Sequence, residues 1–191
     1  MPSQKVLTHH PLSLHTQLEE IRLTRASLET LSIFKEAGLN ERSRQRLAES
    51  VVHHHLQIGE TLVNAGEVRD FLVLVAGGEI SVYARDVFKE TSANTTADAS
   101  VDFNVKTAFL LEDHDEGAQY LFDPAPATHT LQANRRSVVL TLDSAAFDQF
   151  ALEDPSSALR LQSLLSRRLV SEMKKAQTNL RLLFETLKSV G

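Results

Sequence analysis

The sequence predicts an α+β protein: a small antiparallel β-barrel, entered through short helices and left through one long helix. Three observations predict it. Residues 59–83, GETLVNAGEVRDFLVLVAGGEISVY, set short apolar strand segments between glycines at Gly59, Gly66 and Gly78. Helix starts stand on either side, at Asn40 and at Asp154-Pro155. After the second start, apolar residues step by four and three to the end of the chain.

The elements follow in order. Residues 1–11 read as a polar tail. From Leu12 the spacing is helical: Leu14, Leu18, Ile21, Leu28 and Leu31 fall mostly on one face, with Glu19, Glu20, Arg22 and Arg25 elsewhere. That face packs on the domain or on a partner. A further helix begins at Asn40, an N-cap residue type, with Leu47 and Val51 as its apolar positions. The barrel occupies about 52–142. Within it, Phe71-Leu72-Val73-Leu74-Val75 is continuously apolar, as in a strand buried on both faces. Residues 91–100, TSANTTADAS, are small, polar and without period, and predict an exposed loop inside an insertion near 86–107. Val101, Phe103 and Val105 then alternate as in a half-buried strand, and Val138–Leu142 form the last one. Asp143 opens a helical stretch around Phe147 and Phe150. In the final helix, Leu169, Met173, Ala176, Leu180, Leu183 and Leu187 have the spacing of a two-helix seam, over about three heptads. A single packed helix fits the same spacing. The division expected is 1–30 for the tail and first amphipathic helix, 31–152 for the barrel with its entry helices, and 153–191 for the closing helix.

Composition narrows the function classes. Apolar residues make up 42% of the 191, enough for a packed core. The net charge of -5 argues against a nucleic-acid footprint. The chain has no cysteine, which removes disulfides, thiol catalysis and thiolate metal sites. No segment approaches 18 consecutive apolar residues, and the N-terminus lacks the apolar core of a signal peptide. The expectation is a cytoplasmic protein without membrane insertion.

The pattern of residues 59–83, with Gly59-Glu60, Gly66, Asp70 and Gly78-Glu79, resembles the first half of the cyclic-nucleotide-binding domain family. That family is the jelly roll of catabolite-activator-type transcription factors, kinase regulatory subunits and gated channels. SIFKEAGLNERSRQRLAESV is similar to its entry helices, and FDQFALEDPSSALRLQSLLSRRLVSEM to its closing helix pair. The resemblance covers roughly 31–180 and implies an antiparallel jelly-roll barrel with one ligand pocket.

In that family the pocket is a phosphate-binding cassette. A glycine and a short helical turn offer backbone N–H groups to the cyclic phosphate. An arginine grips the phosphate oxygens, and a glutamate accepts the ribose 2′-hydroxyl. The matching stretch here is Glu116 to Thr130, EGAQYLFDPAPATHT. Gly117 stands at the glycine and Pro126 at the proline. Ala118 stands at the glutamate and Ala127 at the arginine, with Gln119, Tyr120 and Thr128 completing the degenerate cassette. Losing one partner of a buried charge pair costs about 2–5 kcal/mol, and losing the ribose acceptor roughly 1.5–3 more. At about 1.4 kcal/mol per decade, a micromolar site becomes millimolar or weaker. Glu112, Asp113, Asp115 and Glu116 just upstream read as a solvated turn that gives an anion no help. Arg135 and Arg136 read as surface charges.

Other chemistry is sparse. His53 and His55 share one strand face, a spacing that can hold a metal, but no third ligand stands at a recognisable distance in sequence. His9-His10 lies in the tail. There is no nucleophile elbow, phosphate loop or HExxH helix, and Gly77-Gly78-Glu79 reads as a turn. The expectation is therefore a non-enzyme with no cofactor or metal: a regulatory or protein-interaction module that has lost cyclic AMP and cyclic GMP. It would be a homodimer through the closing helix, with no direct DNA binding, because the chain given ends where the family's transcription factors continue into a helix-turn-helix. The alternative is a sensor that holds a cyclic nucleotide or an uncharged molecule through other contacts in a more apolar pocket.

Overall fold

The computed structural model describes residues 31–89 and 100–190. The tail and helix expected over 1–30 lie outside the described residues, apart from Leu31, as does the loop expected over 91–99. Among the described residues two short helices come first, α1 (Ser32–Glu36) and α2 (Glu41–Ser50). Ten strands follow: β1 (Val52–Leu56), β2 (Thr61–Val63), β3 (Val68–Arg69), β4 (Phe71–Gly77), β5 (Glu79–Lys89), β6 (Ser100–Leu111), β7 (Asp115–Glu116), β8 (Ala125–Pro126), β9 (His129–Ala133) and β10 (Ser137–Asp143). A five-residue helix, α3 (Ala118–Phe122), separates β7 from β8. After the strands come α4 (Ser144–Glu153) and the long α5 (Pro155–Val190).

Two four-stranded antiparallel sheets face each other, in the orders β1-β10-β4-β7 and β2-β9-β5-β6, with a small β3-β8 ladder beside them. This is the α+β jelly-roll arrangement expected from the sequence. The continuous apolar run of β4 is explained by its place: Val73 and Val75 face the space between the sheets, with Ile80, Val82, Leu131 and Val139. Leu72 and Leu74 face the other way, into a second core built with α1, α2, α4 and α5. Neighbouring side chains of a strand point to opposite faces, so a strand apolar at every position must be covered on both.

The expected insertion near 86–107 is, where described, a continuation of the β5–β6 hairpin, with Asp86 opposite Phe103 and Lys89 opposite Ser100. The alternation of Val101, Phe103 and Val105 belongs to this ladder, and Ser100 opens β6 rather than ending a loop. Gly78 lets β4 turn into β5: at φ 93° it is in the left-handed region, and a Cβ there would collide with the backbone of Arg136 and Ser137.

The helices are tied to one another through a buried hydroxyl. The Asn40 carboxamide oxygen caps α2 by accepting from Ser43 N at 2.9 Å. Ser43, fully buried, donates its hydroxyl to Asp154 Oδ2 at 2.7 Å and lies 2.8 Å from Ser157 Oγ at the start of α5. The Ser43 hydroxyl holds the Asp154 carboxyl below its usual pKa of 3.8. On β1, His54 turns inward and meets Thr141 Oγ1 at 2.9 Å, and burial lowers its pKa from 6.5. His53 and His55 share the opposite face, their rings 4.5 Å apart.

Ser43→Ala is expected to lower the unfolding free energy by about 1–3 kcal/mol near neutral pH, since it strands buried polar partners. A carboxyl with a depressed folded pKa stabilises the fold above its unfolded value and loses that contribution as the pH falls through the folded one. The gap between parent and variant should therefore narrow below pH 3.8. Urea melts from pH 7 to pH 3 check both.

Candidate functional site

The site is built where β7, α3 and β8 meet the β3–β4 corner. Gly117 is the N-cap of α3 at φ 86°, and Tyr120 N donates to Gly117 O to close the first turn. The chain then returns through β8, where Pro126 pairs with Val68 and Ala125 with Arg69. Both backbone groups of Ala127 are used, its N–H by Glu67 O at 2.8 Å and its C=O by Gly66 N at 2.7 Å. The local path of the cassette, glycine, short helix and returning strand, is therefore present.

Its side chains divide among three environments. Ala127 is buried between the two sheets, in the core with Val73, Leu131 and Val139. Ala118 is buried on the other side of the sheet, with Leu121 and the helices. The structure does not bring the two alanines into one cluster. Tyr120 lies between, buried, and its hydroxyl accepts from Thr128 N at 2.9 Å and sits 3.1 Å from Thr128 Oγ1. Thr128 Oγ1 in turn lies 2.8 Å from His129 Nδ1. Gln119, Pro126 and Thr128 are exposed. Arg135 and Arg136 are also exposed, in the β9–β10 turn, where Arg135 donates to Gly78 O at 3.2 Å.

The residue that sequence reasoning missed is Arg69. It is 1% exposed, the largest of the fully buried side chains. Its guanidinium fills the space under the cassette turn. Nε donates to Phe71 O at 3.0 Å, Nη2 to Glu116 O at 2.9 Å and Nη1 to Glu116 Oε2 at 2.5 Å. The cation also lies over two rings, 4.9 Å from the centre of Phe71 and 4.7 Å from that of Tyr120. Gly117 packs on it so closely that a Cβ would fall on Nη2. The sequence shows only an arginine two residues before the strand Phe71–Gly77; whether it reaches water or finds an internal anion is decided by the fold.

The acidic run 112–116 is corrected accordingly. Glu112 and Asp113 are exposed in the β6–β7 turn, but Asp115 and Glu116 form a paired strand, Asp115 opposite Leu74 and Glu116 opposite Val73. Successive residues of a strand point to opposite sides. Glu116 points to Arg69, and Asp115 to Arg168 of α5, which it meets in a short ion pair. Arg168 reaches on to Glu36 of α1 at 2.8 Å. Two of the four carboxylates are thus matched by internal cations and are not a free repulsive patch.

The closing helix divides in two. Leu161 and Leu165 are fully buried and Leu169 packs partly against the same core, so Leu169 belongs to the fold's interior rather than to an open seam. Met173, Leu180, Leu183, Phe184 and Leu187 are each more than half exposed, and Ala176 is exposed as well. Among the described residues, no three His, Cys, Asp or Glu side chains gather as a metal site, and no helix is long and apolar enough to cross a membrane.

No protein-family model and no curated protein sequence matches the chain. Solved structures do. A cyclic nucleotide-binding domain from Methylobacillus flagellatus superposes with TM-score 0.65 at 16% identity, over 82% of this chain and 83% of that one. The N-terminal domain of a transcriptional regulator from Streptomyces coelicolor A3(2) gives 0.58 at 23% identity, over 76% and 94%. The sensor domain of the transcriptional regulator DNR from Pseudomonas aeruginosa gives 0.56 at 19% identity, over 82% and 95%. The chain has the fold of cyclic-nucleotide-binding domains.

Arg69→Met should destabilise the protein by about 3 kcal/mol, because it leaves the partly buried Glu116 carboxylate without its cation. Arg69→Lys should recover little, since an ammonium cannot reproduce three donors in a planar fork. Glu116→Gln, which keeps an acceptor, should cost less than either. Guanidinium unfolding of the three variants checks the order.

Proposed function

We propose that the chain is a non-enzymatic regulatory or protein-interaction module, acting in the cytoplasm, whose cassette no longer takes cyclic AMP or cyclic GMP in the family's usual way. One observation carries the reading: the buried cation of the cassette, Arg69, is already bound to Glu116, Phe71 O and Glu116 O within its own chain. A phosphate would have to displace a carboxylate at 2.5 Å that is tethered beside it. Such a tethered competitor acts at an effective concentration that a free ligand in the micromolar range does not match. The positions that resemble the family's ribose and phosphate anchors add nothing, since Ala118 and Ala127 carry no polar side-chain atom and are packed in separate cores.

Calorimetry with cyclic AMP, cyclic GMP and cyclic dinucleotides is expected to show no binding at micromolar concentrations. A micromolar dissociation constant for any of them would overturn the reading.

The exposed apolar stripe of α5 supports a homodimer as the module's working form. Met173, Leu180 and Phe184 lie along one edge of the helix, seven and four residues apart, a spacing that lets the side chains of one helix pack along another. Met173→Asp together with Leu180→Asp should give monomers by light scattering, without loss of the barrel's circular dichroism. A parent protein that is itself monomeric at micromolar concentration would refute the dimer.

A further inference from the structure

Every seventh residue of α5 from Arg160 onward is a cation: Arg160, Arg167, Lys174, Arg181 and Lys188. On an α-helix these five form one stripe, about 42 Å long, that drifts by about 20° per heptad. All five are exposed. Arg160 donates to Gly38 O at 3.2 Å and Arg181 pairs with Glu185 at 2.9 Å. Among the described residues no carboxylate pairs with Arg167, Lys174 or Lys188. The charge is segregated as well as periodic. Residues 166–190 carry six Lys or Arg against two Glu, a net +4, in a chain of net charge -5, so the remainder stands at -9. The whole-chain value hides a basic helix attached to an acidic body.

Apolar residues keep step with the stripe. Two hollows open along it. One, of about 390 Å³, is lined by Arg167 and Lys174 with Val170, Ser166 and Ser171. The other, of about 560 Å³, is lined by Arg181 and Lys188 with Phe184, Leu180, Gln177 and Glu185. The second repeats the first two heptads further on: Arg181 for Arg167, Lys188 for Lys174, Phe184 for Val170. In each, the apolar residue stands about 40–60° round the helix from its two cations. A surface that matches both hollows offers negative charge and apolar groups side by side, on a seven-residue period.

We infer that the stripe docks an acidic amphipathic helix of a partner protein, with carboxylates at heptad spacing against the cations and an apolar row against Val170 and Phe184. This rests on the reading of the chain as a protein-interaction module and names the chemistry of its partner. The slow drift of the stripe winds that partner left-handed around α5. Charge complementarity separates this occupant from three others. A second α5 offers only Glu172 and Glu185 over residues 166–190, and Arg181 already holds Glu185. An anionic lipid surface calls for cations on both borders of the apolar arc, and the far border carries Glu172, Asn179 and Thr186. A nucleic-acid backbone matches the cations, leaves Val170 and Phe184 without apolar contact, and is repelled by the acidic remainder.

Two synthetic helical peptides of four heptads and identical composition serve as probes. One has Glu and Leu each at a fixed heptad position; in the other the same residues are shuffled. Fluorescence anisotropy with the full chain should show the ordered peptide binding about ten-fold tighter than the shuffled one. Lys174→Glu with Lys188→Glu should weaken the ordered peptide by about ten-fold and strengthen an ordered peptide carrying Lys in place of Glu. The comparison of the two peptides on the parent does not depend on how the variant folds, and circular dichroism checks the variant. Equal affinity of the ordered and shuffled peptides overturns the inference, as does an affinity that the charge reversal leaves unchanged. So does tighter, reversal-sensitive binding of phosphatidylserine vesicles or duplex DNA, or a parent dimer that the reversal dissociates. Anisotropy reads the stripe and nucleotide calorimetry reads the cassette, so failure of this inference is distinguishable from failure of the reading it rests on.

Discussion

Taking a guanidinium out of water costs several kcal/mol unless its charge and its donors are matched at the destination. Arg69 meets that condition on every side: a carboxylate, two backbone carbonyls and two aromatic faces. The arrangement fixes three pieces of chain that have no other reason to coincide. Arg69 is in the β3–β8 ladder, Phe71 opens β4, and Glu116 ends β7 just before Gly117 turns into α3. Without this contact the cassette turn would rest on short ladders of two residues each. With it, the turn is bolted to the strand that divides the two cores.

The same strand carries the constraint outward. Because Asp115 and Glu116 are consecutive in β7, one must face inward when the other faces out. Glu116 takes the inner arginine and Asp115 the outer one, and Arg168 passes the contact to Glu36 of α1. The placement of α5 on the body is thus geometrically linked to the cassette through two adjacent carboxylates. The cation of the outer pair, Arg168, is 26% exposed where Arg69 is buried, and the outer pair contributes less than the inner one. The larger part of the hold on α5 comes from Leu161, Leu164 and Leu165, buried against α4 and the outer face of β4.

Most of the fold was legible because it depends on local rules. Asn40, Asp143 and Asp154 are cap residues that can be read one at a time, and each begins a helix in the structure. The double-sided burial of β4 was legible because its run has no polar position. The extent of the β5–β6 hairpin was not, because polar composition over 86–100 looks the same in an exposed ladder and in a loop, and only the pairing distinguishes them. The cassette was legible as a path and not as a set of partners. Gly117 and Pro126 announce the turn, but nothing local says that Arg69, 47 positions before Glu116, will supply its cation. Long-range ion pairs have no spacing rule, so a buried charge must be inferred from burial that the sequence does not display.

That distinction decides what the fold can be asked to do. A cassette that binds an anion needs a cation whose partners are water until the ligand arrives, so that binding replaces weak contacts with strong ones. Arg69 has no such reserve: each of its nitrogens already donates to an acceptor of the chain. An anion that seeks Arg69 must first open the Glu116 pair and expose the carboxylate, and the cost of doing so is subtracted from its affinity. On the proposed reading, the charge that could serve a ligand holds the turn shut instead, and the barrel's architecture and the capacity to bind a nucleotide become separable properties.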